Sequence, residues 1–467
     1  MTQIPIVSGI YADASPDFRT SYPVNMVPVP KIQGISEGYL RNADGIVQTG
    51  TGPGATRGGI EWDGVCYRVM GTKLVSVSSD GTVTTIGDVG SGSHVSMAYS
   101  FSYLAIASGG NLFLYDKTTL TQVTDVDLGT AIDVVWVDGY FMTTDGENLV
   151  VTELNNPFSV DPLKYGSSEV DPDPIKCLVK LRNEIYAVNR YTIEVFTNVG
   201  GNNFPFSRIN GAQVTRGTVG THTATKFLDG VAFIGGGKGE SIGVYLANGG
   251  GSTKISTREI DETLKRYTDA ELANIYVETV TDVGHDILMI HTPGGTHCFD
   301  GPGSQALGQP IWYRLSSGVD FETEYSARYF VWCYGDWLVG NVRKPLVGKT
   351  DRSIASQWGE VVTWEFGTPI IYNEARGGII NEIEMVALTG SSVYGTSPKI
   401  SAEYSGDGIT WSQPKYINAG TRGQRAKPLK WLREGLFRDR RIYRFRGDSN
   451  AQISVARLEA SIEGMAW

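Results

Sequence analysis

Cysteine, histidine and long apolar runs are all scarce in this chain, and each shortage closes a class of function. The four cysteines, Cys66, Cys177, Cys298 and Cys333, lie far apart with no CxxC pair. That spacing argues against a disulfide framework and against a structural zinc cluster, so all four read as buried reduced thiols. Among the five histidines, His285, His291 and His297 stand six apart with Cys298 adjacent. No zinc motif has this spacing, and neither a metal nor a cofactor is expected. No stretch approaches the roughly 18 consecutive apolar residues of a membrane helix. No basic residue precedes Arg19, so no signal peptide is expected. The expectation is a protein made in the cytoplasm and without stable membrane association.

Catalytic signatures are missing too. Gly235-Gly236-Gly237-Lys238-Gly239-Glu240-Ser241 has Gly239 where a phosphate loop needs Ser or Thr, and a strand-like run follows it rather than a helix. Gly90-Ser91-Gly92-Ser93-His94 is not a nucleophile elbow. Asp161, Asp171 and Asp173 alternate with Pro162, Pro172 and Pro174, which reads as a rigid surface loop. Ser405-Gly406-Asp407-Gly408-Ile409-Thr410-Trp411 resembles the Asp-box of sialidases, but it lacks one spacer and occurs once. A hairpin turn is the simpler reading, and no catalytic residue is assigned.

What the chain has in abundance is turn chemistry. With 58 glycines in 467 residues and 10% aromatics, it reads as an all-β protein. Trp62-Asp63-Gly64-Val65, Val137-Asp138-Gly139-Tyr140 and Phe227-Leu228-Asp229-Gly230 each set a tight turn between β-branched or aromatic runs. Such turns favour Gly because it accepts a positive φ. Restarts at Ile60, Val95, Ile132, Leu178, Phe227, Ile287 and Tyr329 give steps of 35, 37, 46, 49, 60 and 42 residues. Propeller blades of four strands need about 40–50, so the pattern predicts a β-propeller of six or seven blades over 57–350. A helical insertion is expected near 258–274, where Thr268 and Glu271 have capping-box spacing.

Residues 1–56 form an arm broken by Pro5, Pro16, Pro23, Pro28, Pro30 and Pro53. Its apolar stretch Tyr22-Pro23-Val24-Asn25-Met26 and the prolines after it cannot make a central strand. It is expected to lie on its own domain or on a neighbouring subunit. Residues 351–467 read as a C-terminal β-sandwich-like domain, with strands at 361–366, 383–388, 400–404, 442–445 and 453–458. Charge is unevenly spread. The net charge of −10 hides a segment, 421–446, that carries +8. Its cations are Arg422, Arg425, Lys427, Lys430, Arg433, Arg438, Arg440, Arg441, Arg444 and Arg446. They suit either DNA phosphates or a subunit interface with acidic partners.

These segments, in this order, resemble the packaged-DNA stabilisation proteins of short-tailed phages, the tail nozzle or hub. The likeness runs through Tyr22-Pro23-Val24-Asn25-Met26 with Pro28, Gly38-Tyr39-Leu40-Arg41 with Gly45-Ile46, and Arg57-Gly58. It continues through Tyr67-Arg68-Val69, Gly71-Thr72-Lys73-Leu74, Gly87-Asp88-Val89-Gly90-Ser91-Gly92 and Val95-Ser96-Met97-Ala98. Later it includes Ile260, Tyr267-Thr268, Glu271, and Trp431-Leu432-Arg433 with Gly435. The resemblance implies a virion protein of the phage tail. It implies a homo-oligomer, a hexameric ring, below the portal-associated adaptor. Such a ring conducts double-stranded DNA, retains the packaged genome with a needle or plug protein, and carries tail fibres or tailspikes. On this reading deletion of residues 1–30 would prevent ring assembly and leave a folded monomer. The alternative is a propeller that binds or cleaves glycans. Against it, no Asp, Glu or Arg recurs at equivalent blade positions.

Overall fold

The computed structural model describes residues 2–6, 22–31 and 38–465, apart from 320, 322, 375, 393, 449 and 451. Seven antiparallel meanders follow one another along the chain, each of four main strands. The first is Thr56–Trp62, Val65–Met70, Lys73–Val77 and Val83–Asp88. The first strands of the next six are Ser96–Tyr99, Asp133–Val137, Ile175–Leu181, Ala224–Phe227, Tyr276–Asp282 and Ala327–Cys333. This is the propeller repeat, and the blade number is seven. The seventh sheet takes its fourth strand, Gly45–Thr51, from the other end of the sequence. Thr49 Oγ1 lies 3.4 Å from the Val347 carbonyl, and Gly52 N–H donates to the Pro345 carbonyl at 2.9 Å. Part of the segment read as an arm is therefore the closing strand of the last blade.

The turns follow the sequence chemistry closely but not everywhere. Asp63-Gly64, Asp138-Gly139 and Tyr334-Gly335 all carry positive φ at both positions, as a type I′ hairpin demands. At the fifth sheet the turn shifts by one residue. Phe227 pairs with Gly230, and Leu228 takes the positive φ of 49°. Gly230 is needed for space instead: a Cβ there would lie 2.4 Å from the Ala247 carbonyl oxygen. The restart expected at Ile287 also moves, because Ile287 sits in the second strand of the sixth sheet, His285–Thr292.

By its contacts the chain divides into two compact units. One is residues 48–280 and 326–349. Its apolar clusters lie between successive sheets. Trp62, Tyr67 and Val69 pack with Leu104, Ile106 and Phe113, and Val137, Met142 and Val151 pack with Leu178, Ile185 and Ala187. Two helices, Arg258–Lys265 and Asp269–Ala273, interrupt the β pattern, and the Thr268–Glu271 capping box is formed.

The other unit is residues 1–47, 281–325 and 350–467. Besides most of the sixth sheet, it contains two sheets that share one core. The first sheet runs Met26–Pro30, Gly38–Asn42, Ser454–Gly464, Gly378–Leu388 and Leu429–Phe437, with Thr2–Ile4 also pairing on Ser454–Gly464. The second runs Trp364–Gly367, Arg440–Gly447, Lys399–Ser405 and Lys415–Asn418. Trp364, Phe366, Tyr443 and Phe445 of the second sheet meet Met26, Leu40, Ile383, Trp431 and Leu458 of the first. The Pro-bearing strand Met26–Pro30 is an edge strand, the place where a missing N–H costs least. A further short helix, Gly301–Leu307, was not apparent in the sequence; Asp300 caps it through the Gly303 N–H at 3.0 Å. No helix among the described residues is long and apolar enough to cross a membrane.

Candidate assembly interface

The basic segment divides into two halves when its side chains are followed individually. Five cations are engaged within this chain. Arg444 and Arg446 alternate along Arg440–Gly447, and each faces a carboxylate on a neighbouring strand, Glu403 and Glu365 respectively. Arg444 also lies 4.0 Å over the Trp411 ring. Lys430 bridges Glu382 at 2.7 Å and Glu384 at 3.0 Å. Arg441 points into the domain and donates to the Glu434 and Leu436 carbonyls, both at 2.6 Å, beneath the Tyr404 ring. Arg440 donates to the Gly406 carbonyl at 3.1 Å. The acidic partners of Arg444, Arg446 and Lys430, and the carbonyls that hold Arg440 and Arg441, therefore belong to this chain.

The other five make no side-chain hydrogen bond or ion pair among the described residues. Arg422, Arg425, Arg433 and Arg438 are exposed and Lys427 is half-buried. The first three of the segment's cations stand in the loop before the edge strand Leu429–Phe437, and Arg433 stands on it. Arg433 has φ of +57° and Gly435 of +82°. The pairing with Gly378–Leu388 slips between Ile380 and Glu382. This is a bulge, which bends an edge and re-aims a side chain. Leu432 and Leu436 are exposed beside it. The candidate surface is thus an open strand edge with a basic loop and two exposed leucines.

The arm residues Tyr22, Pro23, Val24, Asn25 and Met26 are tied into the same unit. Val24 and Glu365 exchange backbone hydrogen bonds at 2.8 and 3.0 Å. Asn25 donates from its N–H to the Arg314 carbonyl at 2.8 Å, while Arg314 N–H donates to the Pro23 carbonyl at 2.8 Å. The Asn25 amide donates to the Thr363 carbonyl at 2.8 Å and accepts from the Ser316 N–H at 3.0 Å. Its φ of 55° explains why Asn stands there. Met26, with Ile4 and Ile6, enters the sandwich core. Where it is described, the arm belongs to its own chain's sheet. A folded monomer after removal of residues 1–30 is no longer the expectation.

Other sequence candidates find local structural roles. The four cysteines are buried and free. Among the described residues no cluster of His, Cys, Asp or Glu could hold a metal. His285 pairs with Asp300 at 2.6 Å, and that bond holds its pKa above the usual value. His297 is buried and held neutral down to about 3 by loss of solvent. Asp407 accepts from the Ile409 and Thr410 N–H groups, closing the turn on itself. Asp173 is buried, not a surface carboxylate, and accepts from the Tyr191 and Thr192 N–H groups.

Two family-like segments meet at one knot between the first and second sheets. Buried Arg57 donates to the Gly71, Gly90 and Ser93 carbonyls at 2.9, 2.7 and 3.0 Å and to Ser108 Oγ at 3.0 Å. A Cβ at Gly92 would lie 2.6 Å from its guanidinium, and one at Gly58 would lie 2.4 Å from Val95. Arg57-Gly58, the glycine loop and Val95 are thus one packing unit.

Comparison with known proteins closes the question of kinship. The family described as "Bacteriophage P22 Gp10, beta-propeller" matches residues 2–355, and its companion, "Bacteriophage P22 Gp10, beta-sandwich", matches residues 363–463. The chain belongs to the bacteriophage P22 Gp10 family. Tail hub protein gp10 of Salmonella phage P22 is 26% identical over 483 residues, covering 99% of each chain. The propeller and the sandwich are the two parts of this family's fold, and the resemblance read from the sequence agrees with it. Among solved structures, the N-terminal domain of Nup159 (TM-score 0.43, 9% identity, 75% of this chain and 99% of that one) is similar. So is the Pan2 WD40 domain of Neurospora crassa (TM-score 0.42, 9% identity, 65% and 94%). Likenesses this slight add nothing to the Gp10 assignment.

Proposed function

We propose that this chain is a structural subunit of a phage tail hub, without catalytic activity. The observation that supports it best is kinship over 99% of both chains with a protein named as a tail hub. The subunit assembles as a hexameric ring beneath the portal-associated adaptor. The ring conducts double-stranded DNA, helps a needle or plug protein retain the genome, and anchors fibres or tailspikes. DNA passes between subunits in this reading, because the cavity within the propeller sheets holds only about 250 Å³. The predominantly acidic chain repels phosphate over a screening length of about 8–10 Å.

Arg422, Arg425, Lys427, Arg433 and Arg438 form the seam with the next subunit. An open strand edge with exposed leucines supports a protein seam over a phosphate contact. The test replaces these five residues with Gln in the infecting phage. Tails that fail to assemble are the expected result. Intact tails that leak DNA would move the segment to the phosphate reading. Intact tails that retain DNA would remove it from both.

A further inference from the structure

The propeller sheets enclose a cavity of about 250 Å³, and its two ends differ in chemistry. One end is capped by rings. His94 leads into the second sheet, while His222, Tyr276 and Tyr329 belong to the fifth, sixth and seventh. Yet the His94 ring stacks on Tyr276 at 5.0 Å and meets His222 at 5.1 Å. Its Nδ1 is 2.6 Å from the Tyr329 hydroxyl. These contacts reach from one side of the ring of sheets to the other. The rings cluster at the end of the cavity where the first strands begin, with His222 and Tyr276 in its lining.

Toward the other ends of those strands stand Lys180 and Lys226, both lining the cavity. Lys180 is 4.9 Å over the Trp136 ring. Neither ammonium has a hydrogen bond or ion pair among the described residues. Asp138 acts on Lys180 only through space, and loss of solvent holds the Lys180 pKa below its usual value. Deeper in, His222 lines the cavity without a hydrogen bond to its ring among the described residues, and Thr221 and Thr225 line it too. The one carboxylate on the wall, Asp133, is already engaged. It accepts from the Val134 and Leu178 N–H groups, both at 2.8 Å.

We infer that this cavity binds a small ligand bearing a compact oxyanion, a phosphate or a carboxylate. The two ammonium groups neutralise the anion. The hydroxyls and the neutral His222 ring hydrogen-bond the rest of the ligand. Such a group could come from an acidic or phosphorylated sugar or from a mononucleotide. A DNA duplex cannot enter.

The test is isothermal titration of the full-length protein with inorganic phosphate, glucose 1-phosphate, galacturonate and a deoxynucleoside monophosphate, with glucose as neutral control. The expected result is saturable binding of at least one anion and none of glucose. The preferred anion identifies its source. Lys226→Gln, at an exposed position that leaves folding intact, should weaken binding about 3–10-fold, and the Lys180→Met, Lys226→Gln double variant should abolish it. No binding of any anion at millimolar concentration, or equal binding by wild type and Lys226→Gln, would overturn the inference.

Discussion

The propeller and the sandwich differ in how they hold their most engaged cations, although Arg441 of the sandwich, like Arg57 and Arg68, ends on carbonyls. In the propeller, Arg57 and Arg68 are buried and end on backbone carbonyls. Arg68 is fully enclosed and donates to the Tyr329 and Leu338 carbonyls at 3.0 and 2.7 Å, joining the first sheet to the seventh. In the sandwich, Arg444, Arg446 and Lys430 pair with carboxylates across strands, near solvent. A carbonyl cannot titrate, so these arginine bonds between sheets do not respond to pH, unlike the Asp133 carboxylate that accepts from Leu178 of the next sheet. The sandwich carries these ion pairs across its strands, and Arg422, Arg425, Lys427, Arg433 and Arg438 of its basic segment stay available for another surface. The difference separates a closed scaffold from a domain with a spare charged edge.

The largest expected effect tests whether the arm belongs to the sandwich. Deleting residues 1–30 removes two strands and the core residues Ile4, Ile6 and Met26. The truncated protein should lose cooperative unfolding of the sandwich, read by differential scanning calorimetry. A wild-type transition with only ring assembly lost would return the arm to a purely intersubunit role. Next is Arg68→Ala, which strands two buried carbonyls and opens a cavity. It should cost about 3–5 kcal/mol in denaturant unfolding of the propeller.

A titration inside the propeller comes third. Burial, with a smaller contribution from His94, holds His222 neutral down to about 3, against about 6.5 when unfolded. The folded state then binds fewer protons than the unfolded one below pH 6.5. Its contribution is intact above that value and falls by up to about 1.4 kcal/mol per pH unit on acidification. Asp133 works the other way. Burial raises its pKa to about 6, so the folded state favours its protonated form, and this group costs stability as pH rises from about 4 to 6. His222→Gln should therefore flatten the loss of stability between pH 6.5 and 4.5, whereas an unchanged acid limb would show that His222 is protonated when folded.

Arg444→Ala should cost about 1–2 kcal/mol, because Glu403 is left unpaired but keeps some access to water. The smallest effect is expected from Arg422→Gln with Arg438→Gln, within about 0.5 kcal/mol of wild type. If this pair destabilised the monomer as much as Arg444→Ala, the division of the basic segment would fail.

Much of this architecture could be read from turn residues. Asp63-Gly64 and Asp138-Gly139 announced their hairpins because the positive φ they need is rare among other residues. Ile287 misled because the helical insertion lengthens the interval, while the true first strand, Tyr276–Asp282, is too polar to stand out. The closing strand Gly45–Thr51 has no local signal, since its partner lies about 300 residues away along the chain. The basic segment was visible as charge. Its division was not, because Glu365, Glu382, Glu384 and Glu403 reach it only through strand pairing. The His94–His222–Tyr276–Tyr329 cluster has no local signal either, because its rings come from segments far apart in the sequence.

Light scattering on the full-length protein after size exclusion, followed by electron microscopy of the peak, tests the tail-hub reading most directly. The account predicts a closed ring of several copies, with the Leu429–Phe437 edge at the seam. A monomer at every concentration, retaining or cleaving a surface glycan, would contradict it.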